Sequence, residues 1–116
     1  MTLVKLEDVI EFDWNEANKQ KNWLKHKVST KEVEDIFYDS KRLLLEDIKH
    51  SEKEKRFILI GKTKKGRMLF IVFTTRNGKI RIISSRDTNR KEENLYEEAV
   101  SAAKVQKRGR RSRILG

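Results

Sequence analysis

The chain has 116 residues, enough for one small domain and too few for two independent hydrophobic cores. It has no cysteine, which excludes a disulfide framework, a thiolate nucleophile and a thiolate zinc site. The formal net charge is +10, and no apolar run approaches the roughly 20 residues of a membrane span, so we expect a cytoplasmic protein with no membrane partner.

A strand and a helix are predicted near the start of the chain. Apolar and acidic residues alternate over 10–14, which predicts an edge strand with its apolar side chains turned inward. Asn15 is placed to cap a helix over about 16–26. Its inner face is expected to carry Ala17, the Lys21 stem and Leu24.

A second, shorter helix follows and completes a helical hairpin. Ser29 and Glu32 have the spacing of a capping box, in which each side chain satisfies the other residue's backbone amide. The apolar stripe that follows stops near residues 39–40. Beyond it, the leucines at 43–45 predict a weak strand, and a polar loop follows them.

Three apolar segments then predict an antiparallel β-meander. They cover residues 56–61, 68–75 and 80–85. Asn77-Gly78 supplies the positive φ angles of a two-residue hairpin between the last two strands. The first two segments are apolar at successive positions, so we expect them in the middle of the sheet with both faces covered.

The C-terminal part predicts a helix and a basic tail. Asn89 and Glu92 form a second capping-box pattern, and apolar residues recur at helical spacing over about 90–106. The segment 107–113 is strongly basic with little apolar content, which predicts disorder. The expected organisation is therefore one domain over 1–106, with a tail over 107–116.

Positive charge is concentrated in the second half of the chain. Residues 55–91 hold 12 basic side chains, and Asp87 is their only acid. Such a field attracts polyanions, so nucleic acid is the leading class of partner. A well-solvated surface with no partner would also produce this composition.

The last predicted strand and the helix after it bring anion-binding groups together. Arg81 lies within the strand, where a structural pairing with a carboxylate is the alternative to a binding role. Strict alternation puts Arg81 and Ser84 on opposite strand faces. Arg86 ends the strand, and Arg90 and Lys91 open the helix with its free amide groups, so a phosphate fits this corner.

The motifs of the ordered part match a known family. They are Phe12-Asp13-Trp14, Lys25-His26, Val28-Ser29, Glu54-x-Arg56 with the strand to Gly61, Gly66-Arg67, Thr74-x-Arg76, Ile80 to Ser84 with Arg86, and Glu92 with Tyr96-Glu97. Over roughly residues 10–98 the chain thus resembles the BrnT family of type II toxins. It departs from the family pattern at Lys27, where a glycine is common.

The resemblance implies an α+β fold of RelE-like type, with an N-terminal strand, a two-helix hairpin, an antiparallel meander and a C-terminal helix. It implies a metal-independent endoribonuclease that inhibits translation, with RNA as substrate and no cofactor. It further implies a BrnA-like ribbon-helix-helix antitoxin, whose complex with the toxin binds promoter DNA. The spacing of His26 and His50 independently argues against a metal site.

Site roles follow from this chemistry. Without a metal, a ribose 2′-OH attacks the adjacent phosphate, and arginines stabilise the charge that develops on the phosphoryl oxygens. The expected catalytic residues are Arg81, Arg86 and, as general base, His26. The expected phosphate contacts are Arg56, Arg90, Lys91 and Ser84, and the possible proton carriers are Tyr96 and Glu92. His26 as a hinge residue and Tyr96 as a core ring are the structural alternatives.

Two other functions fit the same sequence. A non-catalytic nucleic-acid-binding module would use the same basic sheet edge and tail to hold phosphates. A protein-interaction subunit would instead present the acidic first half or the last helix to a partner. RNA cleavage separates the enzyme from both alternatives.

Overall fold

The described chain forms helices first and an antiparallel sheet afterwards. A computed structural model describes residues 11–50 and 53–115, with side chains for 11–49 and 53–103. The elements are α1 Glu16–His26, α2 Thr30–Phe37, β1 Leu43–Glu46, a 3-10 turn Ile48–His50, β2 Phe57–Lys62, β3 Met68–Arg76, β4 Lys79–Asp87 and α3 Arg90–Leu115. The α+β class is confirmed, while the finer RelE-like assignment stays a prediction.

The first helix has the predicted bounds but a different inner face. Asn15 caps it as expected, because its side chain accepts a hydrogen bond from the Asn18 amide at 2.8 Å. The buried residue is Asn22, whereas Leu24 is 71% exposed. The predicted inner face of Ala17, Lys21 and Leu24 is therefore wrong. Polar side chains occupy the buried stripe, which an apolar-periodicity argument does not detect.

The segment before α1 lies against the edge of the sheet. Phe12 forms an isolated parallel bridge with Ile80, and the Asp13 amide donates to the Ile80 carbonyl at 2.7 Å. Phe12 and Trp14 are half-buried and pack against the core. The predicted inward direction of these two rings is confirmed, although the pairing is a single bridge, and Ile10 lies outside the described residues.

The second helix supplies the apolar layer over the sheet. The Ser29 and Glu32 capping box is formed, and Val33, Ile36 and Phe37 are fully buried. They pack on the buried residues of one sheet face, namely Phe57, Leu59, Leu69, Ile71, Phe73 and Ile82. Gly61 lies under this helix, and a Cβ there would come within 3.0 Å of Ile36 Cγ2. The close approach of helix and sheet thus requires glycine at this position.

The four strands follow one another in the order β1-β2-β3-β4, all antiparallel. Asn77 and Gly78 have φ angles of 53° and 75°, so the predicted two-residue hairpin is confirmed. The weak strand predicted at 43–45 is also confirmed as β1. The meander predicted from composition is therefore the observed sheet, with β2 and β3 in its middle.

A β-bulge interrupts the pairing of β3 and β4. Phe73 pairs with Ile82 and Val72 with Ser84, so Ile83 is an extra residue on β4. Beyond the bulge, the alternation of β4 is reversed relative to a regular strand. The expectation that Arg81 and Ser84 lie on opposite faces is wrong for this reason, because both share the face of Thr74 and Val72.

The sheet face opposite α1 and α2 is only partly covered. We call it the open face; its residues include Arg56, Ile58, Phe70, Val72, Thr74, Arg81, Ser84 and Arg86. Ile58, Phe70 and Val72 on this face are half-buried. Ile60, which pairs with Phe70, and Thr74 are fully buried on this face, and α3 packs against β2. The prediction that both faces of the middle strands are covered is therefore confirmed in part.

The last helix starts where predicted and ends later. The Asn89 and Glu92 capping box is formed, with hydrogen bonds of 2.9 and 3.0 Å. The helix runs to Leu115 and includes the basic segment 107–113, for which the sequence predicted disorder. Arginine and lysine are good helix formers and suit a helix C-terminus, which explains the continuation. The division into a domain of 1–106 and a tail stays a prediction.

Lys27, which ends α1, provides a test of local strain. Its φ and ψ are 54° and 41°, a left-handed conformation that costs a side-chain-bearing residue roughly 1–2 kcal/mol. We expect Lys27→Gly to raise the free energy of unfolding by about 0.5 kcal/mol, because glycine adopts this conformation without strain. The gain is smaller than the strain removed, because glycine increases the entropy of the unfolded chain and the contact of Lys27 with the Trp23 ring is lost. Urea unfolding measures this change.

The matched control is Lys25→Gly, two residues earlier and within the helix. There glycine relieves no strain and we expect a loss of about 1 kcal/mol. Equal destabilisation by the two glycines would contradict the role assigned to the left-handed conformation.

Candidate nucleic-acid interface

Two arginines of the open face lie on either side of β3. The antiparallel register puts Arg56, just before β2, opposite Thr74, which pairs with Arg81 on β4. Thr74 is 1% exposed, and its hydroxyl donates to the Lys55 carbonyl at 2.7 Å. The buried threonine thus lies between two half-buried arginines on the same face.

Glu54 and Arg76 complete this end of the face. Arg76 donates to the two Glu54 carboxylate oxygens through Nε and Nη2, both at 3.2 Å. The Arg76 hydrogen bonds lower the pKa of Glu54, and the charges of Arg56 and Arg81 lower it further. One guanidinium group thus contacts this carboxylate, and the charges of two more act on it. We call Glu54, Arg56, Arg76 and Arg81 the arginine cluster.

Arg81 is the member of the cluster with unused hydrogen-bonding capacity. Within residues 11–50 and 53–115, no carboxylate or carbonyl accepts a hydrogen bond from its guanidinium, and its interaction with Glu54 is electrostatic. The structural ion pair that is the alternative role of Arg81 is therefore not formed among the described residues. Its planar fork is available for a bidentate contact with phosphate.

Arg86, at the other end of the open face, is already paired. Its Nη1 and Nη2 each donate to a Glu92 carboxylate oxygen at 2.8 Å, and its guanidinium lies 4.1 Å from the centre of the Phe70 ring. Glu92 also accepts from the Asn89 amide, so one carboxylate caps α3 and fixes the arginine. The Glu92 hydrogen bonds raise the pKa of Arg86, which stays charged.

The other expected phosphate contacts are spread over the same region. Ser84 lies opposite Val72, between Arg81 and Arg86, and is half-buried. Arg90 and Lys91 are exposed on the first turn of α3. By register, Arg81 and Arg86 are about 13 Å apart along the sheet. The structure therefore gathers Arg56 and Arg81, and it places Arg86 in a separate, neutralised position.

The expected proton carriers do not join the arginine cluster. His26 ends α1 on the helix-covered side, where its carbonyl accepts from Arg67 at 3.0 Å. Tyr96 is 2% exposed, and its hydroxyl donates to Asp39 at 2.8 Å. Burial, with that hydrogen bond, raises the pKa of Tyr96. The proton-transfer roles of His26, Tyr96 and Glu92 stay predictions.

Arg67, which the resemblance contains but the site prediction omits, joins four parts of the fold. It donates to both Asp87 carboxylate oxygens at 2.7 and 3.0 Å and to Glu32 at 3.0 Å. It also donates to the carbonyls of His26 and Lys27. The five N–H donors of arginine are thus used to connect β3 and β4 with the ends of α1 and α2. In the sequence, the feature that could have indicated this role of Arg67 was Asp87, the only acid of residues 55–91.

Two negative observations apply to the described chain. Within residues 11–50 and 53–115, no group of three histidine, aspartate or glutamate side chains is arranged to hold a metal ion. No helix in that part of the chain is long and apolar enough to cross a bilayer.

The fold and the arginine cluster define a small α+β domain with a basic sheet face, as nucleic-acid-binding proteins have. The sequence model of the family described as "Ribonuclease toxin, BrnT, of type II toxin-antitoxin system" matches residues 14–92. The chain therefore belongs to the BrnT family, and it is a ribonuclease toxin of a type II toxin–antitoxin system, with RNA as its substrate and an antitoxin as its partner.

A solved structure supports the fold. The crystal structure of the Brucella abortus ribonuclease toxin BrnT is similar with a TM-score of 0.53 and 18% sequence identity, and the match covers 71% of this chain and 100% of that chain. A comparison with curated protein sequences gives no match. The family pattern and the three-dimensional similarity thus agree on the architecture.

Arg67 should be the arginine on which folding stability depends most. We expect Arg67→Ala to lower the free energy of unfolding by about 2–3 kcal/mol at neutral pH, because Asp87 and Glu32 lose a charged donor. The Arg67 hydrogen bonds lower the pKa of Asp87. Burial raises the pKa of Glu32, but the Ser29 amide and Arg67 outweigh it and the net shift is downward.

Both lowered pKa values mean that this stabilisation is present above the ordinary carboxyl range, near pH 4, and is lost as the pH falls through the folded-state values. The difference between Arg67→Ala and wild type should therefore shrink in acid, as urea unfolding at several pH values would measure. Lys19→Ala, which removes an exposed pair with Glu16, is the control and should cost less than about 0.5 kcal/mol. A pH-independent difference would contradict the account.

Proposed function

We propose that this chain cleaves RNA without a metal ion, by attack of a ribose 2′-OH on the adjacent phosphate. The products are a 2′,3′-cyclic phosphate and a free 5′-OH, and the cleavage inhibits translation. One observation carries the proposal: Arg81 stands beside Arg56 on the open face with no hydrogen-bonded partner among residues 11–50 and 53–115.

Arg81 is the residue proposed to stabilise the transition state. The phosphoryl oxygens gain charge as the fifth oxygen bonds to phosphorus, and a donor fixed beforehand stabilises that charge by about 2.7–4 kcal/mol. The pairing of β3 and β4 fixes the backbone of Arg81, and its half-buried side chain shares the open face with Arg56, so the guanidinium is already on this face before RNA binds. Arg56, Arg90, Lys91 and Ser84 are proposed to hold the RNA backbone.

Arg86 is proposed to have a secondary part in the reaction. Glu92 already neutralises it, and its guanidinium lies over the Phe70 ring, 4.1 Å from the ring centre. Guanidinium planes and aromatic rings are surfaces on which unpaired RNA bases stack. The half-buried Ile58 and Val72 lie between this plane and the arginine cluster, which gives an RNA strand an apolar path across the face.

The finer identity of the partners is also a proposal. We propose a BrnA-like ribbon-helix-helix antitoxin that neutralises the toxin in the cytoplasm, and promoter DNA bound through the complex. The support is the family membership. Co-purification with the neighbouring gene product, followed by a promoter-binding assay with and without the antitoxin, tests both.

The cleavage chemistry has a direct test. Purified protein incubated with single-stranded RNA and EDTA should produce fragments with 2′,3′-cyclic phosphate ends, because the nucleophile belongs to the substrate. The same strand with 2′-O-methyl groups should bind and stay intact. Binding of the unmodified RNA without cleavage would support the non-catalytic binding module, and cleavage that requires a divalent ion would contradict the proposed route.

The roles proposed for Arg81 and Arg86 predict losses of cleavage rate of different size. We expect Arg81→Ala to lower the single-turnover cleavage rate about 10²–10³-fold, as the loss of an oxyanion-type donor does. Arg86→Ala should lower it less than about 10-fold, because Glu92 already occupies that guanidinium. The charge-matched control is Lys31→Ala, an exposed position on α2, which should cleave like wild type. Equal losses for Arg86 and Arg81 would contradict the ranking.

A further inference from the structure

Glu54 is the carboxylate of the arginine cluster, and neither the site prediction nor the phosphate contacts give it a role. It lies just before β2, with a side chain that is 32% exposed, and the charges of three arginines act on it. A plain ion pair with Arg76 is one account of this arrangement. Because Glu54 lies beside the proposed phosphate site, a role in the reaction is a second account of the same arrangement.

The geometry leaves the carboxylate able to accept a further hydrogen bond. Both bonds from Arg76 are 3.2 Å long, against the roughly 2.7–2.9 Å usual for charge-assisted pairs. A carboxylate has two oxygens with about four lone-pair sites, and Arg76 uses one site on each. Lone pairs of Glu54 thus remain for an O–H group that arrives with the substrate.

We propose that Glu54 is the general base of the reaction, which takes the proton from the ribose 2′-OH, and that Arg76 is the residue that orients it. This inference rests on the proposed function, because it names the proton acceptor for the same phosphate site. Arg81 and Arg56 hold the phosphate, and Glu54 beside them faces the 2′-oxygen of the same nucleotide.

The step balances without an added reactant. The 2′-oxygen passes its proton to the Glu54 carboxylate and forms a bond to phosphorus, while the bond from phosphorus to the 5′-oxygen breaks. The leaving 5′-oxygen keeps the electron pair and takes a proton from water, and Glu54 returns its proton to solvent. The net change is a proton moved from the 2′-oxygen to the 5′-oxygen, and no redox partner or metal is required.

The charges around Glu54 suit a base that works only on bound RNA. Arg76 on β3 donates hydrogen bonds to it, the charges of Arg56 before β2 and Arg81 on β4 also act on it, and together they lower its pKa in the free protein. A bound phosphodiester adds negative charge beside these arginines, which offsets their effect and raises the pKa of the carboxyl group. The basicity of Glu54 thus increases when the substrate is in place.

The other candidate proton acceptors do not belong to the arginine cluster. His26 lies on the helix-covered side with Arg67, and the Tyr96 hydroxyl is buried against Asp39. Both oxygens of Glu92 accept from Arg86, and one also caps α3. Of these titratable groups, Glu54 is the one that belongs to the arginine cluster, through its hydrogen bonds with Arg76.

The test compares cleavage with binding in the full-length protein. Glu54→Gln should lower the single-turnover cleavage rate about 10²–10⁴-fold, the usual contribution of a general base. Its affinity for the 2′-O-methyl RNA should stay equal or increase, because a negative charge is removed. Glu46→Gln is the charge-matched control on the exposed end of β1 and should match wild type in both measurements.

A pH profile separates a base from a structural ion pair. Because Arg76 lowers the pKa of Glu54, Arg76→Ala should move the acidic limb of the cleavage rate to higher pH, and Glu54→Gln should remove that limb. Glu54→Asp should restore part of the rate. Glu54→Gln that loses RNA binding as strongly as cleavage would overturn the inference in favour of a structural pair.

The failures of the two proposals have different signatures. If Glu54→Gln cleaves like wild type while Arg81→Ala does not, the general-base assignment is overturned and the ribonuclease mechanism stands. If the wild-type protein leaves RNA intact, or needs a divalent ion, the proposed mechanism and the base assignment both fall.

Discussion

One extra residue in β4 decides which arginines share a face of the sheet. Arg81 and Arg86 would point to opposite sides of a regular strand, and the bulge at Ile83 brings both to the open face. The bulge is held from the other side, where the Asn18 side chain donates to the Ile82 carbonyl at 2.7 Å. The packing of α1 on one face is therefore linked to the arrangement of charge on the other.

The arginines of this chain have different roles because different carboxylates lie within their reach. Arg67 meets Asp87 and Glu32 and becomes a connector between helices and sheet. Arg86 meets Glu92 and becomes part of the start of α3. Among the described residues, Arg81 interacts with the charge of Glu54 and with no other carboxylate, so its hydrogen-bonding capacity is left for a ligand. Net charge alone does not separate these cases, because all three arginines contribute to it equally.

Motifs of neighbouring residues predicted much of the fold. Pairing between segments that are distant in sequence could not be predicted from them. The Asn77-Gly78 hairpin and both capping boxes depend on neighbouring residues, and the sequence predicted them correctly. The bulge at Ile83 depends on how two strands pair, and alternation read along one strand cannot reveal it. The five bonds of Arg67 join segments far apart in sequence, so its motif indicated importance but gave no partner. Arg81 was identified in sequence, but Glu54 beside it became apparent only in the folded sheet.

The central claim is that RNA lies on the open face, with a phosphate at Arg81. Amide and methyl NMR spectra of the protein titrated with 2′-O-methyl RNA test it most directly, because this strand binds without being cleaved. We expect shifts at Ile58, Val72 and Thr74, and no shifts in α2. Shifts centred on α2 and His26, with the open face unchanged, would contradict it.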